Sequence, residues 1–229
     1  MKIIKNEKLI ERNGKIGNWT SLGALLVLGA GMYLSITQPE LFTYSLVCLA
    51  VGFIMTQVGM YMGSRWGRSP RPDEKLDAGL KGLHSEFSIY HYSSPVSHLL
   101  VGPSGVWVIL PYNQGGKISF EKNRWRIRGG GFLQSYMRIF GQEGLGRPDL
   151  EAVSEANSMK KFFAKKMDET AIPEVKPILV FTNEQVELEA NESPIPAMKL
   201  KALKEFLRQG SKSRVLTSNQ IQSIQQALE

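Results

Sequence analysis

Apolar positions follow two different regimes along this chain. In the first, they are unbroken. Residues 19–37, WTSLGALLVLGAGMYLSIT, and residues 41–63, LFTYSLVCLAVGFIMTQVGMYMG, contain no charged side chain. At about 1.5 Å of rise per helical residue, each run is long enough to cross a bilayer core of about 30 Å. Only Gln38, Pro39 and Glu40 separate them, which predicts a tight helical hairpin, since in lipid a helix satisfies its own backbone. A signal peptide followed by a core helix fits less well. No small-residue cleavage site follows the first run, and the second comes directly after it.

The second regime is periodic. Leu76, Gly79, Leu80 and Leu83 recur at i, i+3, i+4 and i+7, which predicts a helix with one apolar face. Strand patterns follow near 86–93, 97–102, 105–111, 117–121 and 124–128, broken by Gly129, Gly130 and Gly131. The stretch 140–148, FGQEGLGRP, reads as a loop. A longer helix is expected from about 149 to 167, with Leu150, Val153, Ala156, Met159 and Phe163 inward. PILVFT (177–182) reads as a buried strand and VELEA (186–190) as an edge strand. Helices are expected near 197–209 and 218–228, the last with a capping-box spacing at Thr217 and Gln220. This order predicts an α/β sandwich with a mixed sheet rather than a doubly wound one, because the early strands follow each other without helices.

Four parts result. They are a basic segment at 1–17, a transmembrane hairpin at 18–64, a linker rich in Arg, Pro and Gly at 65–73, and an α/β domain at 74–229. Lys2, Lys5, Lys8, Arg12 and Lys15 precede the first apolar run, and Arg65, Arg68, Arg71 and Lys75 follow the second. The turn between the runs has no Lys or Arg. Positive flanks stay cytoplasmic, so the expectation is a two-pass integral membrane protein with both termini and the α/β domain inside. Trp19 and Trp66 then fall near the headgroups. Gly59 and Gly63 form a small-xxx-small pair suited to close helix contact.

The formal charge of +7 changes meaning once it is divided. Residues 1–71 hold eight Lys/Arg against three Asp/Glu, or +5, and residues 72–229 hold 20 against 18, or +2. Most of the basicity is juxtamembrane, where topology and anionic lipid account for it. The α/β domain is nearly balanced, which is weak support for a nucleic-acid partner. One cysteine, Cys48, excludes a disulfide framework and a cysteine-based zinc site within one chain.

Candidate chemistry is sparse. The glycines at 129–131 and in GLGRP (144–148) lack the GK[ST] ending of a phosphate-binding P-loop. GPSGV (102–106) is not followed by the helix of a nucleophile elbow, so Ser104 reads as a turn residue. His84, His91 and His98 are placed on a helix and two strands, with no common face expected. No metal or other cofactor is expected. The distinctive charge pattern is KNRWRIR (122–128). As a strand, it puts Lys122, Arg124, Arg126 and Arg128 on one side and Trp125 and Ile127 on the other. Four like charges on one face suit an anionic partner, or a solvated face partly paired with carboxylates such as Glu121.

The run SHLLVGPSGVWVILPYNQGGKISFEKNRW, with RPDLEA and PILVFTNEQVEL after it, resembles the nuclease-related domain family over about residues 73–190. The resemblance implies a restriction-endonuclease-like core, built as helix, three-stranded antiparallel meander, helix and further strand. Active members of such cores place an Asp on one strand and Glu-x-Lys on the next, holding a divalent cation that activates water. Hard cations require oxygen ligands. Carried over residue by residue, the Asp position holds Ser97, the Glu position Leu110 and the Lys position Tyr112. The Gln of the following helix falls on Glu151, and the early helix Glu corresponds to Glu74. Leucine cannot ligate a cation, so the resemblance implies a fold kept without its reaction.

The expected function is therefore a membrane-anchored, catalytically degenerate nuclease-related domain that acts by binding. Its contact surface would be Lys122, Arg124, Arg126 and Arg128, extended by Arg138 and Arg147. Nucleic acid, lipid headgroups or protein fit that surface as partners. Two other functions fit the same residues. One is a metal-dependent nuclease with an acidic site relocated to Glu74, Glu86, Glu121 or Glu151. The other is a structural subunit of a membrane protein complex or homo-oligomer.

Overall fold

The computed structural model describes residues 1–128 and 145–228. The three glycines 129–131, Arg138 and most of the expected loop at 140–148 lie outside the described residues. Two compact units divide the chain, one essentially Glu7–Arg71 and the other Met1–Asn6 with the residues from Pro72 onward.

The helical unit is the expected pair. Helix α1 spans Glu7–Thr37, a 3₁₀ turn Pro39–Leu41 reverses the chain, and α2 spans Phe42–Met62. Both are long and apolar enough to cross a membrane by length and composition. Small residues set their spacing. A Cβ built on Gly31 would stand 2.9 Å from the Cβ of Cys48, and one on Gly17 would stand 2.8 Å from the Cβ of Met62. The Ser45 hydroxyl donates to the Gly31 carbonyl across the pair at 2.7 Å. Such contacts stabilise helix pairs in lipid, where no hydrophobic force separates helix from solvent. Both members of the expected glycine pair lie against α1: Gly59 packs on Ser21, and the Gly63 backbone N would stand 3.1 Å from a Cβ on Gly17, although a Cβ on Gly63 itself would meet nothing within 4 Å. The helix also continues past Met62 through Gly63–Gly67, shortening the expected linker.

The other unit contains two sheets. Strands β1 (Lys2–Lys5), β2 (Ser88–His91), β3 (His98–Gly102), β4 (Gly105–Tyr112), β7 (Val175–Phe181) and β9 (Ala197–Lys199) form a six-stranded mixed sheet in that order. Strands β5 (Gly116–Glu121), β6 (Arg124–Arg128) and β8 (Val186–Glu189) form a separate sheet ordered β6-β5-β8. The single sheet expected from sequence is thus two. The break falls at Asn113–Gly115, after Pro111 has removed one backbone donor from β4, and Gly116 restarts the chain at φ +88°, a conformation open mainly to glycine.

The main sheet is covered on both faces, which explains its near-continuous apolar strands. Leu99, Val101, Val106, Val108, Leu110, Leu179 and Phe181 share a core with Ala152, Ala156, Met159 and Phe163 of α4 (Pro148–Lys166). Leu100, Trp107, Ile109, Ile178 and Val180 face the other way, onto Leu76 and Leu80 of α3 (Pro72–Leu80) and Leu203 and Leu207 of α5 (Leu200–Lys212). The segment expected to be helical from 197 begins instead as β9, paired parallel to β7. Helix α6 (Ser218–Leu228) starts with the expected capping box. The Thr217 backbone N–H donates to Gln220 Oε1 at 2.9 Å, and the Gln220 N–H donates back to Thr217 Oγ1 at 3.4 Å.

The expected basic segment at 1–17 divides at Asn6. Residues 2–5 pair parallel with β2, register Ile3 to Ile89 and Ile4 to Tyr90, and Glu7 begins α1. The first residues of the chain are therefore an edge strand of the α/β unit. Its alternation is too short to be read in a sequence window.

Candidate functional site

The β3–β4 hairpin positions the residues singled out by the family pattern. Leu99 pairs with Val108. Ser97 stands just before β3, where its carbonyl accepts from the Tyr92 N–H at 2.9 Å. Leu110 is 4% exposed and packed in the apolar core. Tyr112, two residues on, is on the same face and donates its hydroxyl to Glu151 Oε2 of α4 at 2.8 Å. Burial raises the Tyr112 pKa first, and the Glu151 carboxylate raises it further. The phenol is a neutral donor throughout the physiological range. The structure thus brings Leu110, Tyr112 and Glu151 to one end of one sheet face. What assembles there is an apolar side chain and a phenol–carboxylate hydrogen bond.

The carboxylates of the relocated-site reading are dispersed. Glu86 is held by Arg214 at 2.9 Å, Glu121 lies 3.8 Å from Arg128, and Glu151 is bonded to Tyr112. Glu74 is on α3, across the main sheet from Glu151. Among the described residues, no three His, Cys, Asp or Glu side chains are arranged to hold a metal ion.

The basic strand largely matches its expected form. Arg124, Arg126 and Arg128 are exposed and alternate with buried Trp125 and half-buried Ile127. Lys122 does not belong to that face. It sits with Asn123 in a two-residue hairpin turn at φ 50° and 58°, the conformation such turns require to match strand twist. Across the register, Arg124 faces Glu121, Arg126 faces Ser119 and Arg128 faces Lys117. Lys117 is itself bound to Glu189 at 2.8 Å. Among the described residues, Arg124 and Arg126 have no ion-pair partner. Arg147 is engaged elsewhere, in a two-point contact with Asp149 at 3.0 and 3.3 Å that holds the carboxylate below its usual range.

The histidines differ from expectation. His91 on β2 and His98 on β3 are register partners, and their Nδ1 atoms lie 2.8 Å apart in the interior. His91 Nε2 meets Asp77 Oδ1 at 3.0 Å. Because an ionised carboxylate only accepts, Nε2 donates. A neutral His91 then accepts at Nδ1 and His98 donates. Lys5 of β1 reaches both Asp73, at 3.1 Å, and Asp77, at 2.5 Å. His84 stands apart, 3.3 Å from Glu86. Seven-residue spacing is a helical period but has no meaning between two strands; the six-residue connection between β2 and β3 folds it into direct opposition. Lys5, Asp73 and Asp77 carried no sequence signal beyond being charges.

Comparison of this chain with models of protein families, with curated proteins and with solved structures finds no match.

Proposed function

We propose that this protein is a membrane-anchored interaction module whose α/β domain, of restriction-endonuclease-like type, lies on the cytoplasmic side and acts by binding rather than by metal-dependent cleavage. The observation that carries the reading is the exposed face of β6. Three arginines alternate along it, and two of them lack an ion-pair partner among the described residues. Such a face lowers its self-repulsion by meeting an anionic surface.

The hairpin supports the second half of the reading. Leu110 and the Tyr112–Glu151 hydrogen bond occupy the positions where the family pattern needs a cation ligand and a free ammonium. Two apolar helices and the Lys/Arg of both flanks support the anchoring and its orientation.

The test is binding by the full chain in nanodiscs of neutral lipid, offered anionic vesicles, a single-stranded oligonucleotide or an acidic peptide. Expected is binding to one of these that weakens steeply with salt and drops at least tenfold when Arg124, Arg126 and Arg128 are replaced by Gln. Binding to none of the three ends the reading.

A further inference from the structure

Apart from the hairpin and the arginine strand, the α/β unit has an open cavity of about 560 Å³ where the parallel strands β4 and β7 end, against α3. Carboxyl ends of parallel strands are where open α/β sheets take ligands. The cavity lies on the α3 face of the sheet. Tyr112 and Glu151 belong to the α4 face, because successive strand residues alternate.

The donors and acceptors here are unequally used. Lys75 Nζ lies 2.6 Å from the side chain of Asn113. An ammonium only donates, so the atom facing it is Oδ1. The same Oδ1 is within 3.2 Å of the Thr182 hydroxyl. The Asn113 carbonyl accepts from Asn183 Nδ2 at 3.1 Å, and Asn183 Oδ1 accepts from the Gln185 backbone N–H at 2.9 Å. The acceptors of Asn113 and Asn183 are thus consumed inside the wall. Among the described residues, the Asn113 amide N–H₂, the Gln185 side chain and the remaining hydrogens of Lys75 have no partner, and Lys75 has no carboxylate beside it. Burial pushes the Lys75 ammonium below the usual lysine range, with no acidic group offsetting it. The carboxylate of the wall, Glu184, is 81% exposed and turned to Lys201 at 3.7 Å.

From these contacts we infer that the cavity bounded by Lys75, Asn113, Thr182 and Gln185 binds a small molecule through a single anionic oxygen group, carboxylate or phosphate. The free donors of Asn113 and Lys75 select a group that accepts, which the Gln185 amide meets through its N–H₂. Glu184 at the rim disfavours a polyanion. The hydrogen-bonded wall holds the donors in place before the ligand arrives, which reduces the ordering cost of binding. The inference is independent of the arginine strand.

The experiment is NMR titration of the full detergent-solubilised chain with inorganic phosphate and, separately, with acetate, following the backbone amides of Asn113, Asn183 and Gln185. A saturable displacement with one of the two anions is expected, and which one saturates assigns the group. Lys75→Met should weaken it at least tenfold. Asn113→Asp keeps the acceptor that Lys75 and Thr182 need but replaces the free donor with an anion, so it should abolish saturation while the chain melts within about 2 °C of the parent. No saturable displacement with either anion overturns the site, and so does saturation that persists unchanged in Asn113→Asp.

Discussion

Tyr112 donates to Glu151 across 2.8 Å, joining the end of β4 to the first turn of α4. The contact is structural. Tyr112→Phe should cost about 1 kcal/mol of stability, the usual net value of one hydrogen bond. Leu110→Glu, the direct attempt to restore a ligand, should cost at least about 3 kcal/mol, because it leaves an unpaired carboxylate in an apolar core. Denaturant unfolding of the two variants checks both values.

The charge cluster under β1 should make stability depend on pH at the acid end. Burial pushes the Asp77 carboxyl up, but hydrogen bonds from His91 and Lys5 outweigh it and hold it below the ordinary value of 3.8. A carboxyl depressed in the folded state contributes stability that is present above its unfolded pKa and lost as pH falls through its folded one. Unfolding midpoints should therefore fall below about pH 4, and Asp77→Asn should flatten that part of the profile. Lys5 has the opposite sign. Its pKa is raised above 10.5 by Asp77 and Asp73 despite burial, so its contribution is full below that value and lost as pH rises past it.

Strand β1 should stabilise the α/β unit although it precedes the helical pair in the chain. Deleting Lys2–Lys5 exposes the edge of β2 and removes Lys5 from Asp73 and Asp77. The melting temperature of the unit should fall by several degrees, at about 2–4 °C per kcal/mol for a domain of this size. Differential scanning calorimetry of the full chain measures it.

The seam between α1 and α2 tolerates little added volume. Gly31→Val should part the helices at Cys48 and Ser45, and Ser45→Ala should cost about 0.6 kcal/mol, a typical interhelical hydrogen bond in lipid. Reversible unfolding in mixed micelles should rank Gly31→Val as the more damaging of the two.

Much of this was legible in the chain, for identifiable reasons. The two membrane-length runs carry their signal in composition alone. Strands β3, β4 and β6 are bounded by Gly, Pro or Asn, and their ends lie within a residue or two of the expected ones. What escaped depends on contacts between distant residues. The partition into two sheets follows from a three-residue break, Asn113–Gly115, whose residues look like any turn. The His91–His98 pair depends on hairpin register, and β1 depends on a partner more than eighty residues away. Lys122 falls off the basic face because strand alternation does not continue through the two turn residues, Lys122 and Asn123, that precede β6. The donor-rich cavity at Asn113 had no motif, since neutral amides become informative only when their acceptors are seen to be occupied.

The most direct measurement is cleavage by the full purified chain of single- and double-stranded DNA and RNA in Mg²⁺ or Mn²⁺. If Leu110 stands where the proposed resemblance needs a cation ligand and Tyr112 where it needs the ammonium, the expected result is no cleavage above a metal-free control. Robust metal-dependent cleavage that disappears in Glu151→Ala would contradict the proposal that this domain acts by binding.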